Sequence, residues 1–290
     1  MLEFHIYDVF TDRAFSGNPL AVVMGADGLS TAQMQIIARQ FNLSETIFVQ
    51  EPDEPDHNAQ VRIFFPTAEI PFAGHPTIGC ALHLSAGRNG QVTLETRAGL
   101  VSVTIADGLA ELTAPRLPVS HPGQADVPMA AAALDLPAGA IGFGRHSLGI
   151  WQGGPAFLLV PVAGLDDLAR ARPVEPAWSA LMAAARVNSA YLYTHTPEDI
   201  RARMFSPTAG IPEDPATGSA SVLLSAQLLA AGELAEGETR ISLQQGVEMG
   251  RPSRIGLTTV VEDGALVQIR VSGRAVKVAE GRIIVPEESA

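Results

Sequence analysis

Cysteine is nearly absent from this 290-residue chain: Cys80 stands alone. One cysteine permits no intrachain disulfide and no cysteine-rich zinc site. Metal-ligand spacing is missing as well. The seven histidines form no HxxxH or HExxH pattern, so no metal is predicted. No nucleotide-binding glycine loop occurs either, so no organic cofactor is expected. Basic residues are scarce, 19 against 31 acidic ones, for a net charge of −12. That balance argues against nucleic acid and against anionic membranes as partners. Long apolar runs are lacking; stretches such as Ala156 to Val160 are strand-sized. The opening Met1-Leu2-Glu3-Phe4-His5 has neither the basic nor the apolar region of a signal peptide. A cytoplasmic protein acting on a small molecule is therefore expected.

What is present begins with length and apolar content. Hydrophobic residues make up 47 %, enough for two cores, and the length fits two domains. The chain also repeats itself. Arg62-Ile63-Phe64-Phe65-Pro66-Thr67-Ala68-Glu69-Ile70-Pro71 matches Arg203-Met204-Phe205-Ser206-Pro207-Thr208-Ala209-Gly210-Ile211-Pro212 at seven of ten positions. With a slip of two residues, His75-Pro76-Thr77-Ile78-Gly79 then falls opposite Asp214-Pro215-Ala216-Thr217-Gly218. Upstream, Leu43 to Val49 has a weaker echo in Asn188 to Tyr193, which sets Ala190 opposite Glu45. A repeat of half the chain means a duplicated domain. Arg62 to Pro71 should then superpose on Arg203 to Pro212.

The coarse elements follow the same division. Strands are predicted at Phe4 to Phe10, Leu20 to Met24, Thr46 to Gln50 and Gln60 to Phe65. Ser30 and Gln33 form a capping box that opens a helix to about Gln40. Pro76 suits the first helical position of a helix to about Ala86. Three strands follow between Gln91 and Thr113. The second half repeats this order, with a helix expected from Pro215 to about Ala230. The Pro-rich stretch around Pro115 to Gly123 reads as the linker. The predicted fold class is α+β, with two pseudo-symmetric domains, each a curved and mostly antiparallel sheet around a central helix. Residues 1–117 and 118–278 are the expected domains, with the tail of about 279–290 rejoining the first.

Two segments end a loop and open a helix: Phe72 to Gly79, and Glu213 to Ala220. Helix starts present unpaired N–H groups and partial positive charge, so each can hold an anion. If both openings face one cleft, a carboxylate can be held without an arginine. Plainer roles fit the same residues. Asp214 followed by Pro215 also reads as an ordinary N-cap. His75 also reads as a loop histidine, Ser219 as a small helix residue, and Glu45 as an exposed edge-strand acid.

Taken together these residues resemble the PhzF family of phenazine-biosynthesis-like isomerases, which has the diaminopimelate-epimerase-like fold. The resemblance rests on Gly17-Asn18-Pro19, Asn42-Leu43-Ser44-Glu45, Pro71-Phe72-Ala73-Gly74-His75-Pro76, Glu213 to Ala220, and Gln245 to Ser253, in family order along the whole chain. It implies that Glu45 is the proton carrier and that His75 and Asp214 are catalytic. Asn18, Ser44, Gly74, Gly218 and Ser219 are implied to bind the substrate, the glycines through helix-start amides on its carboxylate. It further implies a cleft site, no cofactor, and a homodimer. The best-known members isomerise a dihydro-3-hydroxyanthranilate by a proton shift.

The chemistry is coherent with that. A 1,3-proton shift on a conjugated acid needs one group that gives and takes a proton, and a site that stabilises spreading charge. A free glutamic acid, with pKa about 4.3, is ionised at neutral pH. A proton-carrying Glu45 therefore requires burial, which Ile47, Phe48 and Val49 can supply. Two alternatives stay open: an epimerase or racemase of the same fold, and a small-molecule-binding relative without activity. Thiol-based racemisation needs paired cysteines before the two helix starts, where Ala73 and Ala216 stand.

Overall fold

The computed structural model describes residues 1–287, so residues 288–290 of the expected tail lie outside the described residues. The chain divides into two compact units. One is Met1–Thr113 together with the chain from Ser272 onward; the other is Ala114–Val271. The sequence reading set the return to the first unit near residue 279.

The first unit opens with β1 (Leu2–Val9), β2 (Asn18–Val23), α1 (Thr31–Phe41), β3 (Glu45–Gln50) and β4 (Ala59–Phe64). It continues with β5 (Glu69–Ile70), α2 (Gly74–Ser85), β6 (Gly90–Thr96), β7 (Gly99–Ala106) and β8 (Leu109–Thr113). β1 and β2 are antiparallel, β2 and β3 parallel, and β3 and β4 antiparallel. β4 then runs antiparallel to β5 and parallel to β6, and β6 antiparallel to β7.

α1 starts where the sequence predicts. Ser30 Oγ accepts from the Gln33 N–H at 3.3 Å, and Gln33 Oε1 accepts from the Ser30 N–H at 3.0 Å. Both bonds satisfy helix-start donors. Its inward face carries Met34, Ile37 and Ala38 at helical spacing, packed with Phe48 and Phe64. Burying a side chain such as Met34 or Ile37 contributes about 1.5–3 kcal/mol.

The second unit carries β9 (Val119–Ser120), α3 (Val127–Leu134), β10 (Gly149–Gln152), β11 (Ala156–Pro161), α4 (Leu165–Arg170) and α5 (Ala177–Ala185). Then come β12 (Ala190–His195), β13 (Ile200–Ser206), β14 (Ile211–Asp214), α6 (Gly218–Ala231), β15 (Gly237–Gln245), β16 (Ser253–Glu262) and β17 (Ala265–Gly273). Its pairings repeat those of the first unit: β11 parallel to β12, β12 antiparallel to β13, and β13 parallel to β15. Finally β18 (Ala275–Ile283) returns to the first unit and pairs antiparallel with β1.

Both repeat helices are central to their own units. α2 is buried from Gly74 through Ala81, and α6 on almost every side. A helix apolar all round belongs inside. Gly79 shows how closely α2 is seated. A Cβ there would lie 2.5 Å from Leu20 Cδ2 and 2.8 Å from Val9 Cγ2.

The duplication differs in detail from its sequence alignment. In the first unit Ile63 pairs with Ile70, and in the second Met204 pairs with Asp214. The segment between these paired residues is therefore three residues longer in the second unit, where the ladder shifts register between Met204 and Ser206 and adds the pair Ser206–Ile211. Arg62 to Phe64 corresponds to Arg203 to Phe205, but the identical Pro-Thr-Ala strings beyond them do not lead to equivalent positions. The arginine forks confirm the shift. Arg62 binds both oxygens of Glu69, each at 2.8 Å, and Arg203 binds both of Glu213, at 2.8 and 2.9 Å. Asp214 consequently stands opposite Ile70, not His75. The register of the next pair moves as well. Thr46 faces Phe64 and Ala190 faces Phe205, so Ser189 stands where Glu45 does, and not Ala190.

The helix starts shift too. α2 begins at Gly74, which makes Pro76 its third residue. Proline is tolerated there because the third N–H has no intrahelical partner. α6 begins at Gly218, beyond Pro215, so Asp214 is the last residue of β14 and not an N-cap.

Candidate active site

Parallel pairing of β2 with β3 sets Leu20 beside Glu45. Asn18 and Glu45 are the first residues of these two neighbouring strands, and Ser44 directly precedes Glu45. Asn18 is fully buried and Ser44 is half-buried. α2 packs on β2 and β3 and brings its first turn to the same end. There His75, the second helical residue, places Nδ1 at 2.8 Å from Glu45 Oε2. The His75 side chain is 3 % exposed and that of Glu45 12 %. The structure thus gathers Asn18, Ser44, Glu45, Gly74 and His75 in the first unit.

The dyad has a definite chemistry. A proton on the line between Oε2 and Nδ1 can sit on the carboxyl or on the imidazole. Either way the bond holds both groups in place. His75 Nε2 is buried and makes no hydrogen bond to protein. A buried polar atom without a protein partner is costly unless something else satisfies it. The N-cap of α2 is Ala73, which has no side chain to bond the helix-start amides. The first N–H groups of α2 are therefore free of side-chain caps beside the dyad.

The second unit holds Asp214, Gly218 and Ser219. The N-cap of α6 is Thr217, and its hydroxyl does not cap the helix. It donates instead to Asp214 Oδ2 at 2.5 Å. Asp214 is 5 % exposed. Gly218 is the first residue of α6, and Ser219, half-buried, is the second. By helix position Ser219 matches His75, so the Glu45 and His75 pair has two serines, Ser189 and Ser219, as its counterparts.

Sequence reasoning passed over Gln245, although the motif beginning there was visible. This fully buried side chain accepts from the Thr217 N–H at 3.1 Å. It donates to the Asp214 carbonyl at 2.8 Å and to Thr217 Oγ1 at 3.0 Å. Gly246 follows with φ +73°, and a Cβ there would lie 2.5 Å from the Arg251 carbonyl. This glycine lets the chain turn tightly under Pro215, which explains the Gln-Gly pair. Tyr191 is also buried here, its hydroxyl 3.4 Å from Ser221 Oγ. Burial above all, with the nearby Asp214 adding, pushes its phenol up and keeps it neutral.

Cys80 is not part of either helix start. It is buried inside α2, and burial pushes its thiol up to about 12. Such a thiol is a packing group, not a nucleophile. Among the described residues the group with metal-ligating geometry, His146, His195 and Glu233, includes none of the predicted site residues. No helix among the described residues is long and apolar enough to cross a membrane.

The family model described as phenazine biosynthesis-like protein, PhzC-PhzF, matches residues 7–281. An uncharacterized isomerase of Mesorhizobium japonicum is 41 % identical, over 97 % of this chain and 98 % of its own. A trans-2,3-dihydro-3-hydroxyanthranilate isomerase of Pseudomonas chlororaphis is 34 % identical, over 98 % and 100 %. Among solved structures, a PhzF-family phenazine biosynthesis protein of Bacillus anthracis superposes with a TM-score of 0.86. It is 25 % identical, with 98 % of this chain and 99 % of that one covered.

Proposed function

Given that the chain belongs to the PhzF family and is, with these relatives, an isomerase, we propose that it shifts a proton within a small carboxylate-bearing substrate, using Glu45 as the carrier and no cofactor. The observation that carries this reading is the hydrogen bond of 2.8 Å between Glu45 Oε2 and His75 Nδ1, beside an uncapped helix start. A dihydroaromatic amino acid of the dihydro-hydroxyanthranilate type is the substrate class the reading favours, because one relative is named for it.

The step balances without a co-reactant. The Glu45 carboxylate takes a proton from one carbon, and that C–H electron pair enters the conjugated system. The double bond moves, and the carboxyl of Glu45 returns the proton two carbons along. The product is an isomer of the substrate. Charge that builds toward the substrate carboxylate is met by the helix-start N–H groups at Gly74. His75 orients Glu45 through Nδ1, and its Nε2 is available to a polar group of the substrate. Asp214 acts through Thr217, keeping the start of α6 in place. Asn18 and Ser44 contribute polar contacts to the substrate. A homodimer in the cytoplasm is the working state of this reading.

Epimerisation is the second reading; it would need the original carbon to be reprotonated on its opposite face by a second group. Thiol-based racemisation is disfavoured: Ala73 and Thr217 are the two N-caps, and Cys80 is inert. Turnover of trans-2,3-dihydro-3-hydroxyanthranilate in deuterated water separates these readings. A proton shift places deuterium at the carbon that gains hydrogen, with a changed ultraviolet spectrum. Exchange at one carbon with its configuration inverted and the ultraviolet spectrum unchanged would indicate epimerisation. No turnover and no exchange would refute the proposal for this substrate class.

A further inference from the structure

We propose that the second unit binds one zinc-class divalent cation through His146, His195 and Glu233, as a staple at the end of α6. The three donors come from distant parts of the sequence. His146 lies in the turn before β10, His195 ends β12, and Glu233 follows the C-cap of α6, Gly232. Their ligand atoms lie within 4.8 Å of one another. Glu233 bridges the imidazoles, with Oε1 at 2.6 Å from His146 Nε2 and Oε2 at 3.1 Å from His195 Nε2. Ligand atoms around a tetrahedral zinc are about 3.3 Å apart, given bonds of about 2.0–2.1 Å. Small rotations of exposed side chains suffice to admit the ion.

His146 is already built as a ligand. It is buried, and its Nδ1 is 2.8 Å from the Tyr193 hydroxyl. Phe143 stacks on its ring with centroids 4.4 Å apart and meets the His195 ring edge-on at 5.4 Å. A ligating histidine needs its second nitrogen bonded so that the other presents a lone pair. The Tyr193 oxygen can accept the Nδ1 proton, which leaves Nε2 free for the cation. Tyr193 is itself fully buried.

The donor set selects the metal. Two imidazoles and one carboxylate suit zinc and its neighbours, and leave a fourth position open. Magnesium and calcium need several oxygen donors, and this group offers one carboxylate. His195 and Glu233 are 38 % and 35 % exposed, so the open position faces solvent. The adjacent cation, Arg145, is engaged with the Gly232 carbonyl at 3.1 Å and not with Glu233. The sequence carries no spacing signal for this site because 87 residues separate His146 from Glu233.

The test is zinc titration of the whole chain after chelator treatment, by calorimetry and by thermal melts at pH 7.5. The proposal expects one site with a dissociation constant of about 10 μM or tighter, and a higher melting temperature with zinc but not with magnesium. His195→Ala and Glu233→Gln change exposed side chains and should fold. Each should weaken zinc binding at least about tenfold and remove the thermal shift. Zinc bound equally well by either variant would place the metal at other histidines, such as His57 or His121, and overturn the proposal. Absence of binding by the parent at about 100 μM zinc would overturn it as well, leaving the three side chains as a hydrogen-bonded cluster.

Discussion

Glu45 and His75, 30 residues apart, are joined by a 2.8 Å hydrogen bond where β3 begins and α2 begins. One residue comes from a strand end and the other from a helix start. The bond depends on both elements being seated on the same sheet.

His75→Asn tests the helix-side partner. The asparagine amide can still donate to Glu45, but nothing replaces Nε2. The expected result is a loss of about 10- to 100-fold in kcat/KM, milder than for loss of the carrier, with part of it in KM. An activity within about threefold of the parent would make His75 a packing residue.

Gln245→Leu tests the support beneath α6. The substitution leaves the Thr217 N–H, the Asp214 carbonyl and Thr217 Oγ1 without this partner inside the fold. Unsatisfied buried groups cost about 1–3 kcal/mol each, partly relieved by relaxation. Urea unfolding should show a loss of about 2–4 kcal/mol. A loss below about 0.5 kcal/mol would mean that the loop finds other partners.

Gly79→Ala tests how closely α2 is packed. The new Cβ would meet Leu20 and Val9, which are both fully buried. Overpacking of this kind costs about 1–3 kcal/mol. The melting temperature should drop by several degrees, roughly 2–4 °C per kcal/mol for a chain of this class. An unchanged melting temperature would show that the sheet yields at that point.

His83 supplies a pH-dependent prediction. Burial above all, helped by His5, whose ring centroid is 4.4 Å away, and by Lys277, lowers its pKa from 6.5 to about 4. Its Nδ1 lies 2.9 Å from the Tyr7 hydroxyl. The folded chain thus holds His83 neutral over a range in which the unfolded chain protonates it. The stability this contributes is present above pH 6.5 and is lost as pH falls from there toward about 4. His83→Gln cannot titrate. Melts at pH 7 and pH 5 should therefore drop less for the variant than for the parent, and equal drops would contradict the assignment.

Much of this was legible in the sequence, for physical reasons that differ from element to element. The capping box of Ser30 and Gln33 is a local device, so its residues announce the helix. The duplication was legible because Arg62 to Pro71 and Arg203 to Pro212 share seven of ten residues, and the structure shows that both arginines fork onto a glutamate. The three-residue slip was hidden because the identical Pro-Thr-Ala letters end just before the residues that the second unit adds. The ladder pairing Met204 with Asp214 reveals it, as does the fork of Arg203 on Glu213. Helix starts were misplaced because a proline is acceptable throughout the first turn, so Pro76 and Pro215 did not mark the first residue. The dyad partners were named separately, while their contact depends on tertiary packing. The cluster of His146, His195 and Glu233 is entirely a product of the fold.

The account rests most heavily on Glu45 as the proton carrier. Glu45→Gln keeps the shape and a hydrogen bond to His75 but cannot carry a proton. The decisive measurement is turnover of trans-2,3-dihydro-3-hydroxyanthranilate by this variant in deuterated water, with ligand binding measured alongside. The account predicts retained binding and a turnover reduced by about 10⁴-fold or more, with no deuterium incorporated above background. Turnover within about threefold of the parent, with deuterium incorporated at the same carbon, would contradict it.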